Sequence, residues 1–322
     1  MDGNKSDILV IGAGLAGLAC ARELAATGAS VIVLDKGRGP GGRMAARRVE
    51  IAGETVSFDH GAQYFTARDP AFIAAVESWA AAGVAARWPA AGVDAWVGVP
   101  GMNAPIRELA RSLDVRWGVR AERMVRGDAG WHVETDAGAF TAARIMVAVP
   151  AEQAAVLLAD AAPELSALAA SVTSVPCWAV MASFAAPLGG PDTFRSDTAP
   201  VSWAARNSAK PGRAAPEAWV IHASAQRSRE LVDHPKEAVA TLLLADFFSA
   251  IGIAPASPTH LDAHRWLYAL PQAVGGEGAR YDAGLGLGIA GDWLHSPRVE
   301  GAFLSGRALA ALARQAAIGA GQ

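Results

Sequence analysis

The feature that most restricts the fold is a glycine pattern beginning twelve residues into the chain. Gly12, Gly14 and Gly17 follow the apolar run Asp7-Ile8-Leu9-Val10-Ile11. They open a segment, Leu15 to Thr27, in which Leu18, Ala21, Arg22 and Ala25 recur at helical spacing. Gly28 is a natural terminator, and a second apolar run, Val31-Ile32-Val33-Leu34, ends in Asp35. Strand, glycine turn, helix, strand and acid make a βαβ dinucleotide-binding unit. Gly12 permits the tight turn, Gly14, after Ala13, lets a pyrophosphate approach the backbone, and Gly17 lets helix and strand pack closely. The helix N-terminus offers free N–H groups and partial positive charge to the phosphates. Asp35 is placed to accept both hydroxyls of a ribose.

The bare pattern recurs at Gly37/Gly39/Gly42 and Gly286/Gly288/Gly291. The second copy opens no helix, and the third sits in an apolar run that reads as a strand, so neither marks a second dinucleotide fold. With 322 residues, two connected domains are expected. Hydrophobic residues make up 52% and charged residues 18%, enough to bury a large core. The net charge of −3 gives no basis for nucleic-acid binding. Cys20 and Cys177 lie far apart in apolar contexts and read as buried small hydrophobes of a reducing compartment. The segment Met1-Asp2-Gly3-Asn4-Lys5 lacks a signal-peptide layout. No uncharged stretch reaches the roughly 18 residues that span a bilayer. The expectation is a cytoplasmic protein without membrane or metal sites.

Beyond the first motif, Gly37-Arg38-Gly39-Pro40-Gly41-Gly42-Arg43-Met44 resembles the second glycine motif of the amine-oxidase-like FAD superfamily. Physically, Gly41-Gly42 makes a nest for anions and Arg43 adds a fixed positive charge. Arg120 to Met124 with Gly130-Trp131-His132-Val133 resembles the adenine-binding hairpin of that superfamily, with Ala121 at the contact. Ile145 to Pro150 resembles the strand returning to the nucleotide fold. Gly291-Asp292-Trp293 and Arg298-Val299-Glu300-Gly301-Ala302-Phe303 resemble the segment that binds the ribityl chain through the aspartate and aims a helix N-terminus at the flavin.

Asp59-His60-Gly61-Ala62-Gln63-Tyr64-Phe65-Thr66-Ala67-Arg68-Asp69 narrows the resemblance to the renalase family, bacterial members above all. Val97 to Ala104, Trp203 to Pro211, Trp219 to Ala223 and Ala263 to Tyr268 extend it over nearly the whole chain. Two departures stand out: His60 replaces an apolar residue, and the segment between Trp88 and Val97 is short. The resemblance implies noncovalent FAD held by Gly12, Ala13, Gly14, Gly17, Asp35, Lys36, Gly42, Arg43, His60, Gly61, Ala62, Ala121, Gly291, Asp292, Gly301 and Ala302. Covalent attachment at His60 is the alternative. It further implies oxidation of the 1,2- and 1,6-dihydro isomers of NAD(P)H to NAD(P)+, with hydride passing to flavin N5 and oxygen reduced to hydrogen peroxide.

Losing hydride turns a dihydropyridine into an aromatic cation, so no proton need leave the substrate, and catalysis would be mostly positioning. No side chain is therefore singled out as a certain catalyst. His222 alternates onto the face of Val220, opposite Trp219 and Ile221, as a core histidine or a pocket residue. Trp266 reads as an aromatic wall or core packing, Gln63 as a hydrogen-bonding partner of the substrate or flavin, and Tyr64 as pocket or packing. Arg206, Lys210 and Arg213 lie in a polar loop suited to a substrate's phosphates, or simply solvated.

An amine oxidase is the rival reading. That class usually places a lysine near the flavin, and none of Lys5, Lys36, Lys210 and Lys236 is expected there. A non-catalytic FAD-binding module is the other alternative. The expected fold is α/β, a Rossmann-like FAD-binding domain interwoven with a smaller α+β substrate domain, in the p-hydroxybenzoate-hydroxylase/amine-oxidase-like architecture. The expected segments are about 1–70, 98–152 and 275–322 for the first and about 71–97 and 153–274 for the second, with Ala185 to Pro216 a mobile rim.

Overall fold

The computed structural model describes residues 3–51, 53–213 and 216–319. The first two residues of the N-terminal segment, two residues of the expected rim and the last three of the chain lie outside them. The glycine unit forms as expected: strand Lys5–Ile11, helix Leu15–Ala25 and strand Val31–Asp35. Lys5–Ile11 runs parallel to Val31–Asp35 on one side and to Gly138–Val147 on the other. The sheet extends through Leu287–Ala290 to Ala279–Asp282 and, at the opposite end, to Asp114–Trp117. Strand order reverses about Lys5–Ile11, which opens a crevice at the carboxyl ends of the parallel strands, the usual ligand position in such sheets.

Alternation along that central strand assigns its two faces. Ile8 and Val10 pack with Leu18 and Leu309, under helices Leu15–Ala25 and Val299–Gly319. Leu9 and Ile11 pack with Trp131, Val133 and Leu158, under the meander Ala121–Gly127, Gly130–Thr135 and Gly138–Val147 and the helix Ala151–Leu158. The two long helices touch because Gly306 has no side chain; a Cβ there would lie 2.0 Å from the Ala16 carbonyl oxygen.

A second, antiparallel sheet has the order Thr193–Arg195, Val201–Arg206, Glu217–Ala223, Ser174–Phe184, His260–Pro271. Its outer face, with Trp178, Val180, Trp219 and Ile221, is covered by helix Lys236–Ile251. That helix ends where Gly252 turns left-handed at φ 69°. The inner face, with Met181 and Val220, meets Val56 and Phe58 of the hairpin Arg47–Ile51/Glu54–Phe58. The mixed α/β architecture is the one expected.

Two segments expected in the second domain have apolar faces that meet the first layer. Helix Pro70–Ala81, with Asp69 accepting from the Ala71 N–H and Pro70 at its first position, buries Phe72, Val76 and Trp79 beside the nucleotide-binding layer. The Phe72 ring lies 5.2 Å from that of Phe303, and each such buried side chain contributes about 1.5–3 kcal/mol. Helices Ala151–Leu158 and Pro163–Ala170 likewise cover the first sheet, through Ala154, Leu158 and Ala169. Both segments therefore pack with the nucleotide-binding layer, because their apolar stripes match its faces. The expected rim from Ala185 contains two strands, Thr193–Arg195 and Val201–Arg206. None of the described helices is long and apolar enough to cross a membrane.

Candidate active site

The two glycine loops face each other at the crevice. Gly12 is left-handed at φ 106°, and a Cβ on it would meet the Ala148 carbonyl oxygen at 2.4 Å. A Cβ on Gly17 would lie 1.8 Å from the Gly12 carbonyl oxygen. Gly14 caps helix Leu15–Ala25 without any side-chain hydrogen bond, and open space surrounds its Cβ position. Across that space lies Gly42, left-handed at φ 51°, whose Cβ would stand 3.5 Å from the Gly14 Cα. A Cβ on either glycine would narrow the gap between the loops, and the first-turn N–H groups of the helix have no intrahelical acceptors. This is a cradle of diphosphate type.

The other expected cofactor residues border the same crevice. Asp35 ends its strand with its carboxylate accepting from the N–H groups of Ala13 and Gly37, at 2.7 Å each. The Lys36 ammonium reaches Gln153 (3.0 Å). Ala121 begins the meander just past Val119, whose N–H donates to the Asp35 carbonyl. Arg43 donates to Asp292 at 2.5 Å, joining the second glycine loop to the segment before the closing helix. Gly61 lies against the Arg43 carbonyl, where a Cβ would be 2.1 Å away, and the Ala62 N–H donates to that same oxygen (2.8 Å). Gly291 donates to Ser305 (2.7 Å), and Gly301 and Ala302 lie in the first turn of Val299–Gly319. These residues fit a flavin dinucleotide: glycine turns for the diphosphate, Asp35 for the ribose, Arg43 and Asp292 further along.

Between the crevice and the second sheet lies a cluster of aromatic and imidazole side chains. The inner face of that sheet carries a cross-strand row in which Arg195 pairs with Trp203, Trp203 with His222, His222 with Ala179 and Ala179 with His264. Trp266, two residues beyond His264, shares this face. Its indole N–H donates to the His60 carbonyl (2.8 Å), and its ring stacks on the His60 ring at 5.1 Å. His60 also meets His264 edge-on at 4.9 Å, and its Nδ1 is buried with no partner among the described residues. Burial pushes the His60 imidazole down to about 3, helped by His264 and Arg47. His222 falls to about 4 through burial, although the His60 carbonyl opposes the shift. Burial also takes His264 to about 4. All three rings are neutral at ordinary pH.

Gln63 connects these side chains to a buried charge cluster. Lys210 Nζ donates to Gln63 Oε1 and to Asp59 Oδ2, at 3.2 Å each, and Arg213 donates to Asp59 at 2.6 Å. Lys210 and Asp59 side chains are fully buried. Burial lowers the Lys210 ammonium to about 8 against the pull of Asp59. Burial alone would raise the Asp59 carboxyl, but Lys210, Arg213 and the Met102 N–H outweigh it and hold the group below its ordinary value. Lysine can only donate, so the Gln63 oxygen must face it. The Gln63 amide nitrogen then donates to the Asp59 and Gly61 carbonyls and faces His222 Nε2 at 3.4 Å. Both amide hydrogens are taken by the carbonyls and the amide nitrogen cannot accept, so a proton on His222 Nε2 would have no partner on that side.

These contacts correct the expected phosphate loop. Lys210 and Arg213 are committed to Asp59. Arg206 lies over Trp219 and near Glu217 and Asp192, and donates to the Gly189 carbonyl (2.6 Å). None of the three is available to a substrate phosphate, because each cation, drawn into the protein, required an internal partner. Lys210 instead joins the hydrogen-bond network around Gln63, which the linear sequence did not reveal. Gln63, Tyr64, His222 and Trp266 do come together. Trp203, Arg195, His264 and Asp59 complete the surroundings. The first three were findable only from strand pairing, and Asp59 only from the two cations that reach it. Cys20 is fully buried, as expected, whereas Cys177 is only part-buried. Burial pushes both thiols up, that of Cys177 to about 12.

Fold and cradle together define a dinucleotide-binding protein of the doubly wound α/β class. Residues 10–78 match the family description of an NAD(P)-binding Rossmann-like domain, and residues 88–313 match that of flavin containing amine oxidoreductases. The second match spans more than half of the chain, which therefore belongs to the flavin containing amine oxidoreductase family. A flavin cofactor comes with that membership.

Over 59 residues, 18% of this chain, it is 42% identical to lysine-specific histone demethylase 1 homolog 3 of Oryza sativa subsp. japonica and subsp. indica. That match spans 7% of the length of those relatives. Among solved structures, putrescine oxidase bound to putrescine superposes with a TM-score of 0.69 at 14% identity, covering 95% of this chain and 98% of that one. Cyclohexylamine oxidase from Brevibacterium oxydans IH-35A gives 0.64 at 13% identity, with 96% and 99% covered. At these identities the likeness is one of fold.

Proposed function

We propose that this protein is a renalase-type oxidase of the cytoplasm, holding FAD noncovalently and oxidising the 1,2- and 1,6-dihydro isomers of NAD(P)H to NAD(P)+ while oxygen is reduced to hydrogen peroxide. The bound flavin supplies the hydride acceptor at N5 and the route for the electron pair to oxygen. The observation that carries the reading is the protonation state of the imidazole cluster. His60, His222 and His264 are neutral, and Lys210 is tied to Asp59 and Gln63. Imidazoles that protonate only near 3 to 4 are weak bases and take a proton from a substrate poorly at ordinary pH. That suits a donor which becomes an aromatic cation by losing hydride alone. Neutral imidazoles do not repel the cationic product, and Trp266, its ring fixed by the bond to His60, offers a flat wall for a planar ring.

Amine oxidation is the second reading, favoured by the family description and by the unexpected burial of Lys210 beside Gln63. Anaerobic mixing of the flavin-loaded protein with 1,2-dihydroNAD separates the two. Rapid bleaching of the flavin absorbance is expected, with no bleaching by putrescine or spermidine. The reverse pattern would transfer the protein to the amine oxidases, and an unchanged spectrum with every donor would leave an FAD-binding module without turnover.

A further inference from the structure

We infer that Arg195 and Trp203 form an anion subsite at the exposed end of the cross-strand row through His222, taking the pyrophosphate of a dinucleotide substrate. The inference rests on the renalase-type reading and deepens it by assigning the groups that hold the substrate's far end. The cross-strand row leads from His264 inside the molecule to Arg195 on the edge strand Thr193–Arg195. Arg195 is exposed, and no carboxylate lies within ion-pair reach of it among the described residues. In this it differs from Lys210, Arg206 and Arg213, which all face internal carboxylates.

Its guanidinium is nonetheless held in place. It lies over the Trp203 ring at 5.1 Å and 6.0 Å from the Tyr64 ring, and it donates to the Tyr64 hydroxyl. That bond uses one of five N–H donors, leaving most of the fork free for a phosphate. A second observation points the same way: the Trp203 indole N–H is buried without an acceptor among the described residues, and a buried donor left unpaired is costly. Tyr64 and Trp203, with rings 5.3 Å apart, join the cation to Gln63 and His222. From Arg195 to His222 is two strand spacings, roughly 10 Å, the reach needed if a ring at His222 and Trp266 is tethered through its ribose to a phosphate at Arg195. A cation at this exposed end also selects against protonated amines.

The test uses flavin-loaded wild type and Arg195→Gln, an exposed change that leaves the core intact. ADP-ribose, which has the pyrophosphate but no reducible ring, is titrated by calorimetry. Binding to the wild type that weakens with salt, and a Kd raised about tenfold in the variant, about 1.4 kcal/mol, is the expected result. No binding to the wild type, or equal binding to both, overturns the subsite. In turnover, Arg195→Gln should raise KM for 1,2-dihydroNAD about tenfold at unchanged kcat and leave KM for the 1,2-dihydro isomer of nicotinamide riboside alone. Equal changes for both substrates also overturn it. Arg195-dependent ADP-ribose binding without any oxidation of the dihydropyridines would retain the subsite and remove the redox reading.

Discussion

Gln63 stands between a cation and an imidazole, and its amide can face both without a clash of donors in only one orientation. With its oxygen turned to Lys210, the nitrogen faces His222 Nε2, so the His222 proton belongs on Nδ1. Nitrogen-15 NMR of histidine-labelled protein should show the neutral Nδ1-protonated tautomer from pH 5 to 8, since burial keeps this ring neutral down to about 4. In Gln63→Glu the side chain can accept but not donate, and the proton should move to Nε2. An Nε2-protonated signal in the wild type would reverse the assignment. At this scale the sequence was partly legible. Alternation along Trp219 to Ala223 put His222 on the face of Val220, where it is. Nothing in the linear order around Lys210 announced that it would be buried against Asp59, 151 residues earlier in the chain.

Among elements, the turn from Ile11 into helix Leu15–Ala25 has two kinds of glycine. Gly12 and Gly17 are required by the protein itself, since side chains there would strike backbone within 2.4 Å. Gly14 meets nothing, which leaves open space where a diphosphate would approach the backbone. Gly14→Val should therefore leave the apo protein's melting temperature within a few degrees of wild type while FAD affinity falls at least a hundredfold, about 2.7 kcal/mol, read by flavin fluorescence on titration. A large loss of apo stability with FAD binding retained would refute this division. The spacing of the glycines was enough to locate the turn, because a strand, a turn and a helix are local structures with local signals. The strands Thr193–Arg195 and Val201–Arg206 escaped notice because one is short and both are flanked by glycine, proline and serine.

For the molecule as a whole, burying neutral histidines couples stability to pH. The unfolded chain protonates His60 and His222 near the ordinary value of about 6.5, whereas the folded protein holds them neutral to about 3 and 4. Their folded values are depressed, so unfolding takes up protons below about pH 6.5. Stability is then full above that pH and declines as pH falls toward 4, by up to about 1.4 kcal/mol per pH unit for each ring. Urea midpoints should drop steadily between pH 7 and 5, with a shallower decline in His60→Leu. A midpoint independent of pH in the wild type would contradict the burial of these rings.

The sequence by itself determined the α/β class and the dinucleotide turn, because both are written in contiguous runs whose periodicity and glycine spacing act over a few residues. Only the tertiary structure decided which cations are free and which are spent inside the protein. It also decided which protonation states the imidazoles hold and which cation stands at the exposed end of their strand row. Those properties depend on burial and on partners brought together by strand pairing across more than a hundred residues, and no local pattern encodes them.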